Sequence, residues 1–315
     1  MNKSLPGELS AKPPVSDFTL MSSDRQRRAQ TPWGLVARRL MRNKLAIVGM
    51  IMISFMILTA LTAPYLATDK PDENGVFRTY NLEGKLPPSI EHPMGTDDLG
   101  RDLLSLVMYG ARISVTIGFF SVGLAIIVGV ILGAISGYFG GFLDNLIMRL
   151  MDIMLSLPSI LLALVIVVII GPGLLNAMIA VGIVSIPTYA RIARASVISE
   201  TPREYVQASR ALGASSFRLL AGHVLPNALS PIIVAASLGI ATAILDAAGL
   251  GFLGLGAQPP TPEWGLMLSR NKQHLFTSPW MVLFPGVSIM FLVLGFNLLG
   301  DGLRDALDPR LSQVK

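Results

Sequence analysis

Residues 153–190 carry no charged side chain at all. A helix needs about 20 apolar residues to cross a hydrocarbon core, so this one stretch is long enough for two crossings. The Gly171-Pro172-Gly173 triplet divides it into runs at 153–170 and 174–190, and so tight a turn predicts that the two are antiparallel neighbours. Residues 45–63 form another uncharged run. Residues 113–143 are also uncharged, and Gly137, Gly140 and Gly141 mark where a helix begun near Ile113 is expected to stop. A fifth span is predicted at 228–248, after Pro226, and a sixth at 281–299, between Pro279 and Asp301. With 52% hydrophobic and 14% charged residues and a mean hydropathy of +0.60, the chain has lipid as part of its solvent. The expected fold class is therefore all-α: a polytopic helical membrane protein of about six transmembrane helices in a lipid bilayer.

Lysine and arginine set the expected orientation, because they are retained on the cytoplasmic side. Of the 25, eighteen fall before Leu45, in the connection after the second span, between Arg191 and Pro226, and in the C-terminal tail; seven fall on the other connections. Both termini are accordingly expected in the cytoplasm. Arg38, Arg39, Arg42 and Lys44 directly precede the first span. That span is read as retained rather than as a cleaved signal, since its polar preamble is too long. The excess of basic residues thus reports membrane orientation and not nucleic-acid binding. Cysteine is absent, and His92, His223 and His274 are scattered, which leaves no metal site and no thiolate chemistry to propose. No Gly-x-x-x-x-Gly-Lys-Ser/Thr loop exists to hold a nucleotide. An intramembrane enzyme would need a nucleophile with a base, and no histidine lies in a predicted span; a secondary transporter usually shows paired halves, and no internal repeat is evident. No catalytic residue is assigned.

The most informative polar segment is 199–213. Thr201 stands as an N-cap, Pro202 suits the first helical position and Glu204 completes a capping box, predicting a helix of about three turns that Gly213 stops. Tyr205, Ala208, Ser209 and Leu212 share one face by their spacing, and the small Ala208, Ala211 and Gly213 allow close approach. Periodicity and capping alone fit two readings equally: an amphipathic linker on the bilayer, or an element that inserts into a groove of another protein.

The same segment resembles the EAA loop of binding-protein-dependent ABC importers, whose pattern is Glu-Ala-Ala, three residues, Gly, nine residues, Ile, one residue, Leu-Pro. Gln207-Ala208-Ser209, Gly213, His223 and Leu225-Pro226 occupy those positions, with Gln207, Ser209 and His223 departing from the pattern. Other motifs are similar to the C-type permeases for dipeptides, oligopeptides and nickel, most of all to the dipeptide branch. They are the run from His92 to Asp102, Tyr109-Gly110-Ala111-Arg112, Gly137 to Gly141 with Asp144 and Arg149, Ile244 to Gly254, Gln258 to Gly265, and Gly300 to Pro309.

The resemblance implies a type I ABC importer transmembrane domain that imports dipeptides, with oligopeptides, glutathione or nickel as alternatives. It also implies partners: a second, B-type permease, two ATP-binding subunits and a periplasmic substrate-binding protein. No cofactor is expected in this chain, since ATP and Mg would be held by the partner subunits. Thr201, Glu204, Gln207, Ala208, Ser209, Gly213, Leu225 and Pro226 would form the ATPase-coupling loop, with the acidic role passing from Gln207 to Glu204. The expected layout is a disordered cytoplasmic tail at 1–30, an amphipathic segment and first span at 31–66, and a periplasmic loop at 67–112. The permease core then covers 113–300, with the coupling loop at 195–226, and a cytoplasmic tail ends the chain at 301–315.

Three sets of acids remain. Asp97, Asp98 and Asp102 match no calcium loop and stand where a helix begins, so helix capping is expected. Arg149 and Asp152 are spaced for a snorkelling ion pair. For Asp246 two readings stand: a pathway or gate residue, because an ionisable group in an apolar span usually faces a cavity or partner, or a cap on the Gly-rich turn that follows.

Overall fold

The computed structural model describes residues 32–307 apart from 74 and 80–83. The expected tail at 1–30 and the motif residues Asp308 and Pro309 lie outside the described residues. Five helices are long and apolar enough to cross a membrane, and a sixth crossing is formed if one sharply bent helix pair counts as a span.

A short helix α1 (Pro32–Leu40) leads into α2 (Lys44–Leu66), the first span. Asn43 caps α2 by accepting the Leu45 and Ala46 N–H groups at 3.0 and 3.3 Å, which satisfies donors that a helix start leaves orphaned. The second span, α3 (Leu103–Phe139), begins ten residues before the expected Ile113. Its 37 residues make it about 55 Å long, well beyond a bilayer core of about 30 Å. Arg112 breaks the uncharged run but not the helix, and Asp102 caps it by accepting the Ser105 N–H at 2.9 Å. Gly137 is not a stop: it lies inside α3, which ends at Gly140 (φ 64°).

The third span is the largest departure from expectation. Rather than one helix through 153–170, the chain forms α4 (Gly141–Leu155) and α5 (Ser159–Ile170), bent by 93° across Ser156-Leu157-Pro158. Pro158 has no N–H to continue α4, and the 12 residues of α5 reach only about 18 Å alone. After Gly171-Pro172-Gly173, α6 (Leu174–Glu200) runs back, as the tight turn predicted. A hairpin then carries α7 (Glu204–Ala211), α8 (Ser216–Leu219) and a π-turn at Leu220–Val224 into the fifth span, α9 (Leu225–Phe252). Finally α10 (Trp264–Asn271) precedes the sixth span, α11 (Trp280–Leu307), which continues past Asp301.

Small residues set the packing. Along α3, Gly129, Gly133 and Gly137 recur every fourth residue and lie against α6. A β-carbon on Gly129 would sit 2.8 Å from the Ile186 carbonyl oxygen, and one on Gly137 2.7 Å from that of Arg194; at Gly133 it would collide with the Ala190 carbonyl. Without a hydrophobic force between helices in lipid, such backbone-to-backbone approach is a main source of association. Because Ser121 meets Met178 while Gly137 meets Arg194, α3 and α6 run parallel. The outer pair α2 and α11 is antiparallel, with Gly49 against Gly295 and Gly302 against Ala46. Helix α9 fills the middle: Ile240 and Ile244 pack over Gly118 of α3, and the Tyr189 hydroxyl donates to the Ala235 carbonyl at 3.4 Å. One end of the bundle therefore gathers residues 67–102, 171–173 and 253–279, and the other gathers α1, the α3–α4 corner, the 201–224 hairpin and the end of α11.

Candidate functional site: the 201–224 hairpin

The hairpin hangs on one buried side chain. Val206 of α7 is 0% exposed and packs with Ala134 of α3, Val197 of α6, and Leu219, Val224 and Ala228 at the entry to α9. The hairpin thus rests on three spanning helices through a small apolar cluster. Sequence reasoning missed Val206, because it singled out Tyr205, Ala208, Ser209 and Leu212 as a face for a groove of another protein and did not identify what anchors the helix to the bundle. The structure turns Leu212 outward at 89% exposure, with Phe217 at 81% and Tyr205 at 41%.

The expected capping box does not form. Helix α7 starts at Glu204 with Arg203 as N-cap, and Thr201 instead ends α6, its hydroxyl donating to the Val197 carbonyl at 2.7 Å. Thr201 lies within reach of α6's orphan carbonyls, and closing that helix competes with opening the next one. Gln207 Nε2 then donates to the Thr201 carbonyl at 3.0 Å, and the Tyr205 hydroxyl donates to Glu200 Oε2 at 2.8 Å. These two bonds tie α7 back to α6. Gly213 is left-handed (φ 84°), with its N–H on the Arg210 carbonyl and the Ala214 N–H on the Ser209 carbonyl, a Schellman stop that any residue with a β-carbon adopts at a cost. Glu204, Ala208 and Gly213 are exposed, Ser209 and Leu225 are half-buried, and Pro226 is exposed in the first turn of α9.

Two ion pairs brace the neighbourhood. Arg194 of α6 grips Asp144 of α4 with two bonds of 2.6 and 2.7 Å, while Ser136 donates to the same carboxylate. Asp152 pairs with Arg191 at 2.6 Å, so the expected partner Arg149 is displaced by a residue distant in sequence. Asp246 does not join this site. It lies on α9 about 30 Å further along the helix axis, half-buried, with no hydrogen bond or ion pair among the described residues. Helix α9 continues six residues beyond it to Phe252, so Asp246 does not cap the glycine-rich turn.

The opposite end also exposes apolar side chains, Ile90 and Phe276, but it ties most of its buried acids and its indoles to the chain. Asp102 accepts from Ser105 and meets His92 Nδ1 at 3.0 Å; Asp97 accepts the Leu99 and Arg101 N–H groups and pairs with the Arg101 guanidinium. Asp102 is thus the capping acid expected, Asp97 clamps its own turn, and Asp98 caps nothing among the described residues. Glu263, 2% exposed, caps α10 by accepting from Gly265 and Leu266 at 2.8 and 2.7 Å. Burial pushes its carboxyl up to about 6, against the two N–H groups that hold it down. Trp264 donates to the Val107 carbonyl at 3.1 Å and Trp280 to that of Thr96 at 3.3 Å.

An all-helical, multi-pass bundle whose polar hairpin juts from one end is the build of a transporter's membrane subunit. Residues 129–313 match the family described as binding-protein-dependent transport system inner membrane component, and residues 31–88 match the N-terminal TM domain of oligopeptide transport permease C. The chain belongs to this family of importer permeases. More particularly, it is 50% identical over 304 residues to the dipeptide transport system permease protein DppC of Alkalihalophilus pseudofirmus, covering 96% of this chain and 95% of that one. It is 52% identical over 278 residues to DppC of Escherichia coli strain K12 (86% and 91% covered), and 42% identical over 282 residues to the glutathione transport system permease protein GsiD of an E. coli O6:K15:H31 strain (90% and 92%). Among solved structures, the inward-facing MetNI methionine ABC transporter shares the fold at a TM-score of 0.53 and 22% identity, covering 64% of this chain and 96% of that one.

Proposed function

We propose that this chain is the C-type permease of an ATP-driven dipeptide importer, lining the pathway together with a B-type permease. The carrying observation is the 201–224 hairpin: it is tied to α6 by hydrogen bonds and wedged against α3, α6 and α9 by Val206, yet it holds Leu212 and Phe217 out in solvent. Large exposed apolar side chains rimmed by Arg210 and Arg218 suit a groove on another protein. That protein is one of two ATP-binding subunits, which hold ATP and Mg; this chain has no phosphate-cradling loop and does no catalysis of its own. Thr201, Gln207 and Ser209 shape the hairpin, Gly213 stops it, Leu225 and Pro226 join it to α9, and Glu204 is its exposed acid.

In this reading both termini and the hairpin are cytoplasmic, and the 67–102 and 253–279 segments meet a periplasmic binding protein. ATP favours the state in which the two ATPases close, and only that differential affinity can move the hairpins and open the cavity. Dipeptide as substrate is supported by the likeness to DppC proteins across most of the chain; the 42% likeness to GsiD supports glutathione as the second reading. Asp246, unpaired and half-buried in a span, serves as a pathway or gate residue.

Uptake into vesicles tests this directly. Labelled dialanine should accumulate only with both permeases, the ATPases, the binding protein and ATP, and should ignore ionophores. Uptake driven by an ion gradient without ATPases would overturn the reading, and preferential competition by glutathione would transfer it to the second substrate. Glu204→Lys should lower uptake and leave the chain in the membrane. Asp246→Asn should do the same while leaving ATPase docking intact; unchanged uptake would remove Asp246 from the pathway.

A further inference from the structure

At the 67–102 end, a cavity of about 350 Å³ opens between the first turns of α3, the segment holding Pro71, Gly75 and Phe77, and the 260–262 turn. It is within the size range of small-molecule sites. Its walls are the rings of Phe77 and Tyr109, which meet edge to face at 5.2 Å, and Pro260, Thr261 and Pro262 opposite. Among the described residues, Arg112 is the only charged one lining it.

Arg112 differs from Arg101 at the same end. Arg101 is neutralised by Asp97. Arg112 is exposed, makes no ion pair or side-chain hydrogen bond among the described residues, and stands only 5.9 Å over the Tyr109 ring. A guanidinium over a ring leaves its edge N–H donors free to bind a ligand. An arginine in a spanning helix normally pairs or faces a cavity. This one faces a cavity that no acid among the described residues lines, which favours an anion, and a guanidinium edge fits a carboxylate with two parallel bonds.

We infer that this cavity is a subsite for the free C-terminal carboxylate of the incoming peptide, with Arg112 gripping the carboxylate and Phe77, Tyr109 and Pro262 packing the last side chain. The inference rests on the proposed peptide import. Aromatic and proline walls present apolar area at little entropic cost, as a site for varied side chains requires.

The test uses the assembled importer in nanodiscs of zwitterionic lipid, without binding protein, so that neither anionic headgroups nor the binding protein's own preference enters. Titration calorimetry compares dialanine with dialanine amide, which differ only in the carboxylate. Dialanine should bind in the millimolar range and about tenfold more tightly than the amide, the 1.4 kcal/mol expected of a charge-assisted pair. Arg112→Gln should erase that difference, and Arg112→Lys should keep part of it. Thr261→Trp, which fills the cavity from the far wall without altering the charge, should abolish binding of both probes. Equal binding of acid and amide, binding of neither in the millimolar range, or a preference that survives Arg112→Gln overturns the subsite. Should vesicles with all partners and ATP take up no peptide at all, the proposed function fails instead; uptake without acid preference in nanodiscs fails this inference alone.

Discussion

The two ends of the bundle solve opposite problems. Around 67–102 and 253–279 the buried carboxylates Asp97, Asp102 and Glu263 and the indoles of Trp264 and Trp280 find partners within the chain. At the hairpin the buried cluster is small, and the largest apolar side chains, Leu212 and Phe217, meet water. The first end exposes Ile90 and Phe276 as well, but its acids and indoles are held; the second offers an apolar tip on an anchored hairpin. Closed polar networks hold shape without help, whereas an exposed apolar tip on a firmly anchored hairpin is a contact waiting for its groove.

The contrast can be broken most forcefully by Leu212→Asp with Phe217→Asp. Each should weaken ATPase docking by about 2 kcal/mol or more, roughly 30-fold, so the double variant should lose its ATPases on affinity purification while its amount in the membrane stays normal. Retained docking would make the tip a bystander. Next in size is Trp264→Ala at the closed end, which should cost about 3–5 kcal/mol in thermal unfolding of the complex yet leave ATPase docking untouched until that end melts.

Glu263 sharpens the same contrast through pH. Its folded-state pKa is raised from 4.5 to about 6, so the folded chain holds the proton more tightly than the unfolded one. Its contribution is therefore fully present below about pH 4.5 and lost as pH rises through about 6, amounting to about 2 kcal/mol. Melting curves of wild type and Glu263→Gln should diverge across that window, and a constant gap would contradict the raised value. The smallest effect belongs to Gly213→Ala. A β-carbon there meets nothing within 4 Å, so only the left-handed backbone objects, at about 1 kcal/mol, roughly fivefold in docking.

Much of the spanning architecture is legible because apolar length is a coarse, additive property: α2, α6, α9 and α11 lie where apolar runs predict them. Failures occur where a local signal competes with a distant one. Arg112 looks like the end of a span, but Asp102 caps the helix ten residues earlier and the helix carries its charge into a cavity. The break at Pro158 sits inside an uncharged run, where composition gives no warning, although proline itself is a known breaker. At the hairpin, the Gly213 stop is written in one residue and forms as expected. Thr201 has two helices to serve, and tertiary packing of Val206 decides which residues face outward. The partner of Asp152 is Arg191, 39 positions away, which no local spacing rule reveals.

The glycine ladder of α3 has a mechanical consequence. With α3 seated on the main chain and β-carbons of α6 from Gly129 to Gly137, little room is left to slip or rotate, so α3 and α6 travel as a single beam. Helix α6 passes into the hairpin and α3 begins at the cavity lined by Arg112; a push on the hairpin should thus arrive at the far mouth undamped. Spin labels at Ile127 and Thr188 would then keep one separation through the whole ATP cycle, and the flexing would fall to the joint at Pro158.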